Sequence, residues 1–304
     1  MSRSGMILAL LLGVGVAVAA ADDLDSTYQS LQEATAKKDP ELVKKLAAQC
    51  VALARKEEST PVPTDKDEQE VWKSHIAYVK EVEGYAEYAL YATAVGVEPA
   101  VTVDLISTLE AQNPKSKYLD QGYGTYFVAL AKTGAEAKVP QVAEKALANF
   151  PDNPDLLLVM INTALSHKQT DRALTYANRM VGAMGKRSKP EGVAAADWER
   201  QKSAFLGRGY FVAGVINAEK SRFVDADRNL RAALPFIKGD QAMTGEAFFH
   251  LGVANYQLGK MTNSKAKVLE GAKFSDDASK ITGPYAHQAY LNSMAMKSDA
   301  EKMR

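Results

Sequence analysis

The sequence predicts an all-α protein, a solenoid of antiparallel helix pairs closed by a C-terminal capping helix. Three observations predict it. After residue 24, apolar residues recur every three or four positions among plentiful Ala, Leu, Glu, Lys and Gln, and no stretch alternates as a strand would. Proline and glycine fall where helices must start and stop. One spacing of large and small residues returns along the chain, and a fixed internal period is the mark of a stacked array.

The elements follow in order. An irregular first pair spans about 26–56, and Asp39-Pro40 opens its second helix, because proline needs no N–H in a first turn. A loop rich in Pro and charge, Glu57 to Asp67, precedes a long helix beginning near Trp72, and the pair at about 70–114 divides at Glu98-Pro99. Asn113-Pro114 and Phe150-Pro151 end helices, since proline drives its predecessor out of helical geometry. Between them lies a pair at about 117–151, divided at Val139-Pro140. Further pairs are expected at about 154–184, 194–236 and 245–275, with a loop from Gly182 to Ala194 and a capping helix at about 284–296. The charged residues from Lys297 to Arg304 are expected to fray.

The last pair carries the pattern most fully. Phe248-x-x-Leu251-Gly252-x-x-Asn255-Tyr256 opens its first helix, Gly259-Lys260 is read as its turn, and Ser264-x-x-x-Val268-x-x-Gly271 lies on the returning helix. Tyr210-x-x-Ala213-Gly214 with Ala226-x-x-x-Leu230-x-x-Ala233 repeats the spacing. So does Leu157-x-x-Met160-Ile161 with Ala173-x-x-x-Ala177-x-x-Met180, and looser copies open at Ala86 and Tyr123. This pattern resembles the tetratricopeptide repeat (TPR), with Tyr256 one place late and Gly271 where alanine is usual. The resemblance covers most of Ser26 to Ser275. It implies a right-handed superhelical solenoid, residues 22–304 forming a single TPR-like array whose first helices line a concave groove. A pair of about 34 residues cannot bury its own apolar face, so neighbours share one continuous core.

In that register the groove-facing residues are Glu87 and Tyr91, Gly124 and Val128, Leu158 and Asn162, Phe211 and Val215, and Phe249, Val253 and Tyr256. The alternative is that these side chains pack on the neighbouring pair. Some family members hold a carboxylate-ended peptide with Lys and Asn; here only Asn162 stands in a suitable place. The expected partner is therefore a peptide or helix of another protein, anchored by aromatic and aliphatic side chains.

Composition narrows the role. Lys plus Arg equals Asp plus Glu, 37 each, which lacks the basic field of a nucleic-acid binder. Arg3, the apolar run Met6 to Val18 and Ala19-Ala20-Ala21 before Asp22-Asp23 read as a signal peptide, residues 1–21, cut after Ala21 or, as the alternative, after Ala19. A periplasmic or secreted chain with no membrane span in its mature part is the expectation. Cys50 is the only cysteine, so no intramolecular disulfide forms, and its helical setting favours a buried core position over an intermolecular thiol.

No motif for catalysis, a cofactor or a metal stands out. Gly185-Lys186 and Gly259-Lys260 lack the surroundings of a phosphate-binding loop, while Gly122-Tyr123-Gly124 and Gly207-Arg208-Gly209 read as close helix contacts. His75, His167, His250 and His287 lie on separate helices without ligand spacing. The expected function is a protein-binding scaffold rather than an enzyme. A self-assembling envelope component is the alternative, and an enzyme with an unrecognised site is a third.

Overall fold

A computed structural model describes residues 14–190 and 192–303, with side chains from Asp23 onward. The expected leader and its cleavage near Ala21 lie outside the described residues, apart from the backbone of the first helix. Thirteen α-helices and no strand occur among the described residues. They are α1 (Val14–Lys37), α2 (Pro40–Glu58), α3 (Lys66–Ala94), α4 (Pro99–Gln112), α5 (Lys117–Lys132), α6 (Val139–Ala146), α7 (Pro154–Ser166), α8 (Thr170–Lys186), α9 (Ala195–Glu219), α10 (Phe223–Ile237), α11 (Gln241–Met261), α12 (Lys265–Ser279) and α13 (Ala286–Lys302), with a 3-10 turn at Glu136–Lys138.

The chain forms two compact units, divided between Val139 and Pro140. In the first, each of α1 to α4 packs on its successor, and α1 also meets α3, α2 meets α4, and α3 meets α5. In the second, the succession runs from α7 to α13, with α9 on α11 and α11 on α13. Packing on the next helix and the next but one is the contact pattern of a helical repeat array.

The starts obey local chemistry. Pro40, Pro99 and Pro154 stand in the first turns of α2, α4 and α7, and the Asp39 and Asn153 side chains accept from Leu42 N and Leu156 N. Asp65, Ser116, Asp240 and Ser264 cap α3, α5, α11 and α12 in the same way.

The stops carry the repeat. The turns after α1, α3, α5, α7, α9 and α11 each contain one residue in the left-handed region: Lys38, Gly96, Gly134, Lys168, Ser221 and Asn263, with φ between 49° and 78°. At five of them the next N–H reaches back five residues, in Asp39→Ala34, Ala135→Leu130, Gln169→Ala164, Arg222→Asn217 and Ser264→Gly259 backbone bonds of 2.8–3.1 Å. That 6→1 bond is the Schellman closure, which satisfies carbonyls the helix end leaves orphaned. A left-handed residue thus recurs after every odd-numbered helix up to α11, and the same closing bond after all of them but α3.

Two sequence expectations need correction here. Gly259-Lys260 is not a turn: α11 runs on to Met261, and the chain reverses at Asn263. Gly259 is buried because α12 crosses there, so an added Cβ would stand 2.7 Å from Val268 N. The tail does not fray after Met296 either. Helix α13 continues to Lys302, with Met296 and Ala300 buried against Val268 and Ala272.

The loop expected from Gly182 begins later, because α8 continues to Lys186 before the chain reaches α9. Gly252 and Gly271 meet where α11 crosses α12, with an added Cβ on Gly271 only 2.7 Å from Gly252 O and from Tyr256 N. No other residue fits between those backbones.

Apolar stripes supply the cores. In the first unit Leu31, Val43, Ala47, Val79, Val82, Ala86 and Leu90 are fully buried, and Cys50 joins them. Burial pushes the Cys50 thiol up to about 11. In the second unit Leu157, Ile161, Ala177, Met180, Leu230 and Leu251 form one cluster with Trp198 and Phe211. Each fully buried aliphatic side chain stabilises the fold by about 1.5–3 kcal/mol relative to exposure.

Candidate functional site

Helix α3 has two faces. Val79, Val82, Ala86, Ala89 and Leu90 face the core, while Tyr78, Tyr85, Tyr88 and Tyr91, spaced by seven and then three residues, form a second stripe. Tyr28 on α1 and Tyr118 on α5 extend that stripe sideways, so six rings run across three odd-numbered helices. Tyr28 meets Tyr78 and Tyr85 edge-on at 6.3 and 5.2 Å between centroids. Tyr85 leans on Tyr88 at 5.8 Å, Tyr88 on Tyr118 at 5.7 Å, and Tyr91 stacks on Tyr118 at 5.8 Å. All six keep solvent exposure; Tyr88, at 42%, has the most.

The ladder is held rather than loose. Tyr78 donates its hydroxyl to Asp25 Oδ1 at 2.6 Å, tying α3 to α1, and burial together with that carboxylate raises its pKa above the ordinary phenol value. Burial also raises Tyr91. Lys117 Nζ lies 5.0 Å from the Tyr118 ring, a cation–π contact at the ladder's edge. Tyrosines so arranged offer large, rigid rings with polar tips, which lose little conformational entropy when something settles on them.

The sequence-predicted groove residues are divided by the structure. Tyr91 belongs to the ladder, Val128 is 55% exposed on α5, and Gly124 is half-buried. Glu87 accepts from Asn113 Nδ2 at 2.7 Å, tying α3 to the end of α4. It lines a hollow of about 210 Å³ with Arg55, Glu58 and Glu83. Burial and then the charge of Glu58 raise the Glu83 pKa.

In the second unit Leu158 and Val215 are half-buried against the main cluster, and Val253 is half-buried on α11. Asn162 is exposed and accepts from Arg208 Nη2 at 3.1 Å. Phe211 is a correction, being a core residue only 6% exposed. Phe249 and Tyr256 are half-buried, each with a partner in the chain. Phe249 stacks on Tyr285 at 4.7 Å, and Tyr256 donates to Asp299 Oδ2 at 2.7 Å. The turn into α13 supplies Tyr285, and α13 itself supplies Asp299.

Sequence reasoning missed five of the six ladder residues: Tyr28, Tyr78, Tyr85, Tyr88 and Tyr118. The crowding of tyrosines in residues 85–91 was the available signal. Nothing local announces that Tyr28 and Tyr118 join them, because that depends on α1 and α5 flanking α3.

The histidines stay apart. His75 Nε2 lies 2.6 Å from Glu57 Oε2, His167 caps α7 and is exposed, His287 is exposed, and His250 is half-buried on α11. Among the described residues no three His, Cys, Asp or Glu side chains gather in a way that could hold a metal ion. Nor, among them, is any helix long and apolar enough to cross a membrane. Compared with known proteins, the chain matches no family model and no curated sequence.

Proposed function

We propose that this chain is an exported, tetratricopeptide-like solenoid that grips a segment of another protein on its tyrosine face. One observation carries the reading: six solvent-reaching tyrosines in continuous ring contact across α1, α3 and α5. A surface that only had to meet water would gain nothing from ordering so many rings. Aromatic anchors of this kind supply most of the affinity in protein interfaces. The recurring left-handed turn supports the repeat reading, since it returns the chain with the same geometry after each first helix. The leader-like start, residues 1–21, supports export to a periplasm or beyond.

The test is selection of peptides from a displayed library on the full chain, followed by titration against a Tyr85→Ala, Tyr88→Ala, Tyr118→Ala variant. Loss of about 2 kcal/mol or more, roughly thirtyfold in Kd, is expected while the helical circular dichroism is unchanged. Peptides that bind the folded variant as tightly as the wild type would remove the tyrosine face from the interaction.

A further inference from the structure

The end of the second unit holds a cavity of about 280 Å³ between the start of α11, the end of α12 and the turn into α13. Ala242, Ala278, Ile281 and Pro284 give it apolar walls, and Glu246 and Tyr285 stand among its lining. The Tyr285 hydroxyl donates to Glu246 Oε1 at 3.0 Å, and Phe249 stacked behind Tyr285 fixes the ring.

The charge in this cavity is not balanced. Among the described residues, the only basic side chain within ion-pair distance of Glu246 is His250, whose Nε2 lies 3.9 Å from Oε1. That nitrogen is buried and has no hydrogen-bond partner. Burial lowers the His250 pKa to about 4, so it is neutral at pH 7 and offers no countercharge. Arg208 acts on Glu246 only through space, its guanidinium donating to Asn162, and Glu219 opposes it. A carboxylate taken partly out of water with a single phenol donor is an interaction missing its cation.

We propose that this cavity seats a primary alkylammonium group, either the lysine side chain of a partner protein or a free alkylamine. The apolar walls match the methylenes. The ammonium brings donors and a full charge to Glu246, with the Tyr285 ring beside it to add cation–π attraction. The cavity is slightly smaller than the usual range for drug-sized ligands, which suits one linear chain. The site stands on α11 to α13 and does not rest on the tyrosine face.

The experiment is calorimetric titration of the full chain with N-acetyl-lysine methylamide and with n-butylamine, using N-acetyl-norleucine methylamide as the uncharged control. Saturable one-to-one binding of an amine, with a Kd of order 1 mM, is expected, with none for the control. Glu246→Gln should weaken it at least tenfold. Clear preference for the lysine derivative identifies a protein side chain as the occupant, and equal or tighter butylamine binding identifies a small amine. Ala242→Phe fills the cavity from an exposed rim position and must also abolish binding, which decides the matter if Glu246→Gln fails to fold. Absence of saturable binding by both amines, equal binding of the control, or folded variants that bind like the wild type would overturn the proposal.

Discussion

The two compact units share a turn but not a way of packing. In the second unit, helices cross on glycine: an added Cβ at Gly214 would lie 2.5 Å from Leu230 Cγ, and at Gly271 2.7 Å from the backbone of α11. In the first unit the helical glycines Gly84 and Gly122 are not so confined. Gly122 has its nearest neighbour at 3.4 Å, and Gly84 has nothing within 4 Å. There the odd-numbered helices display tyrosines instead, half-exposed and touching one another. One geometry of turn therefore supports two sequence solutions. Close approach uses up helix faces, whereas rings leave a face on which something else can settle.

Substitution can break that contrast. The largest expected effect is Gly271→Ala, which must push two backbones apart. We expect a loss of about 2–3 kcal/mol, the upper part of the overpacking range, read as a lower urea midpoint. Gly214→Ala meets the buried Leu230 side chain first and its backbone N at 3.0 Å, so a loss of about 1–3 kcal/mol is expected from the same measurement. In the first unit Gly84→Ala should have the opposite sign, a gain of about 1 kcal/mol, because alanine is the better helix former and nothing is in its way. A destabilising Gly84→Ala would end the contrast.

The shared turn gives a smaller test. Lys168 and Ser221 occupy left-handed backbone that disfavours side chains. Lys168→Gly and Ser221→Gly should each raise the urea midpoint, by the equivalent of about 0.5–1 kcal/mol. Equal gains in both would show one turn geometry at work.

His250 gives the second unit a pH effect of its own. His250 has its pKa lowered by burial from 6.5 to about 4. The unfolded chain therefore binds the extra proton first as pH falls, so the stability linked to neutral His250 is present above about 6.5 and is lost toward about 4. In His250→Leu the fall in urea midpoint between pH 7 and pH 4.5 should be shallower than in the wild type. An unchanged fall would mean that His250 is not the group responsible. The smallest effect concerns Cys50. Its buried thiol should react with a disulfide reagent at pH 8 only as fast as the first unit opens, with labelling accelerated by mild urea.

Much of the architecture was legible in the chain because its signals are local. The 3.6-residue spacing of apolar groups, Pro40, Pro99 and Pro154 in first turns, and Gly252 facing Gly271 can all be read from neighbours in sequence. The turns were only partly legible. Gly96 and Gly134 are recognisable, but Lys38, Lys168 and Ser221 adopt the same backbone with residues that do not advertise it. Gly259 advertises a turn and instead lies in a helix.

The sequence by itself determined that this protein would be helical and where most helices begin, since propensity, capping and amphipathic period act over a few residues. Only the tertiary structure decided which side chains remain free to meet another molecule. Phe249 and Tyr256 are partnered because Tyr285 arrives from the turn into α13 and Asp299 from α13 itself, and Tyr28, Tyr88 and Tyr118 become one surface because α1 and α5 flank α3. Exposure is a property of neighbours, and neighbours far apart in sequence are chosen by packing.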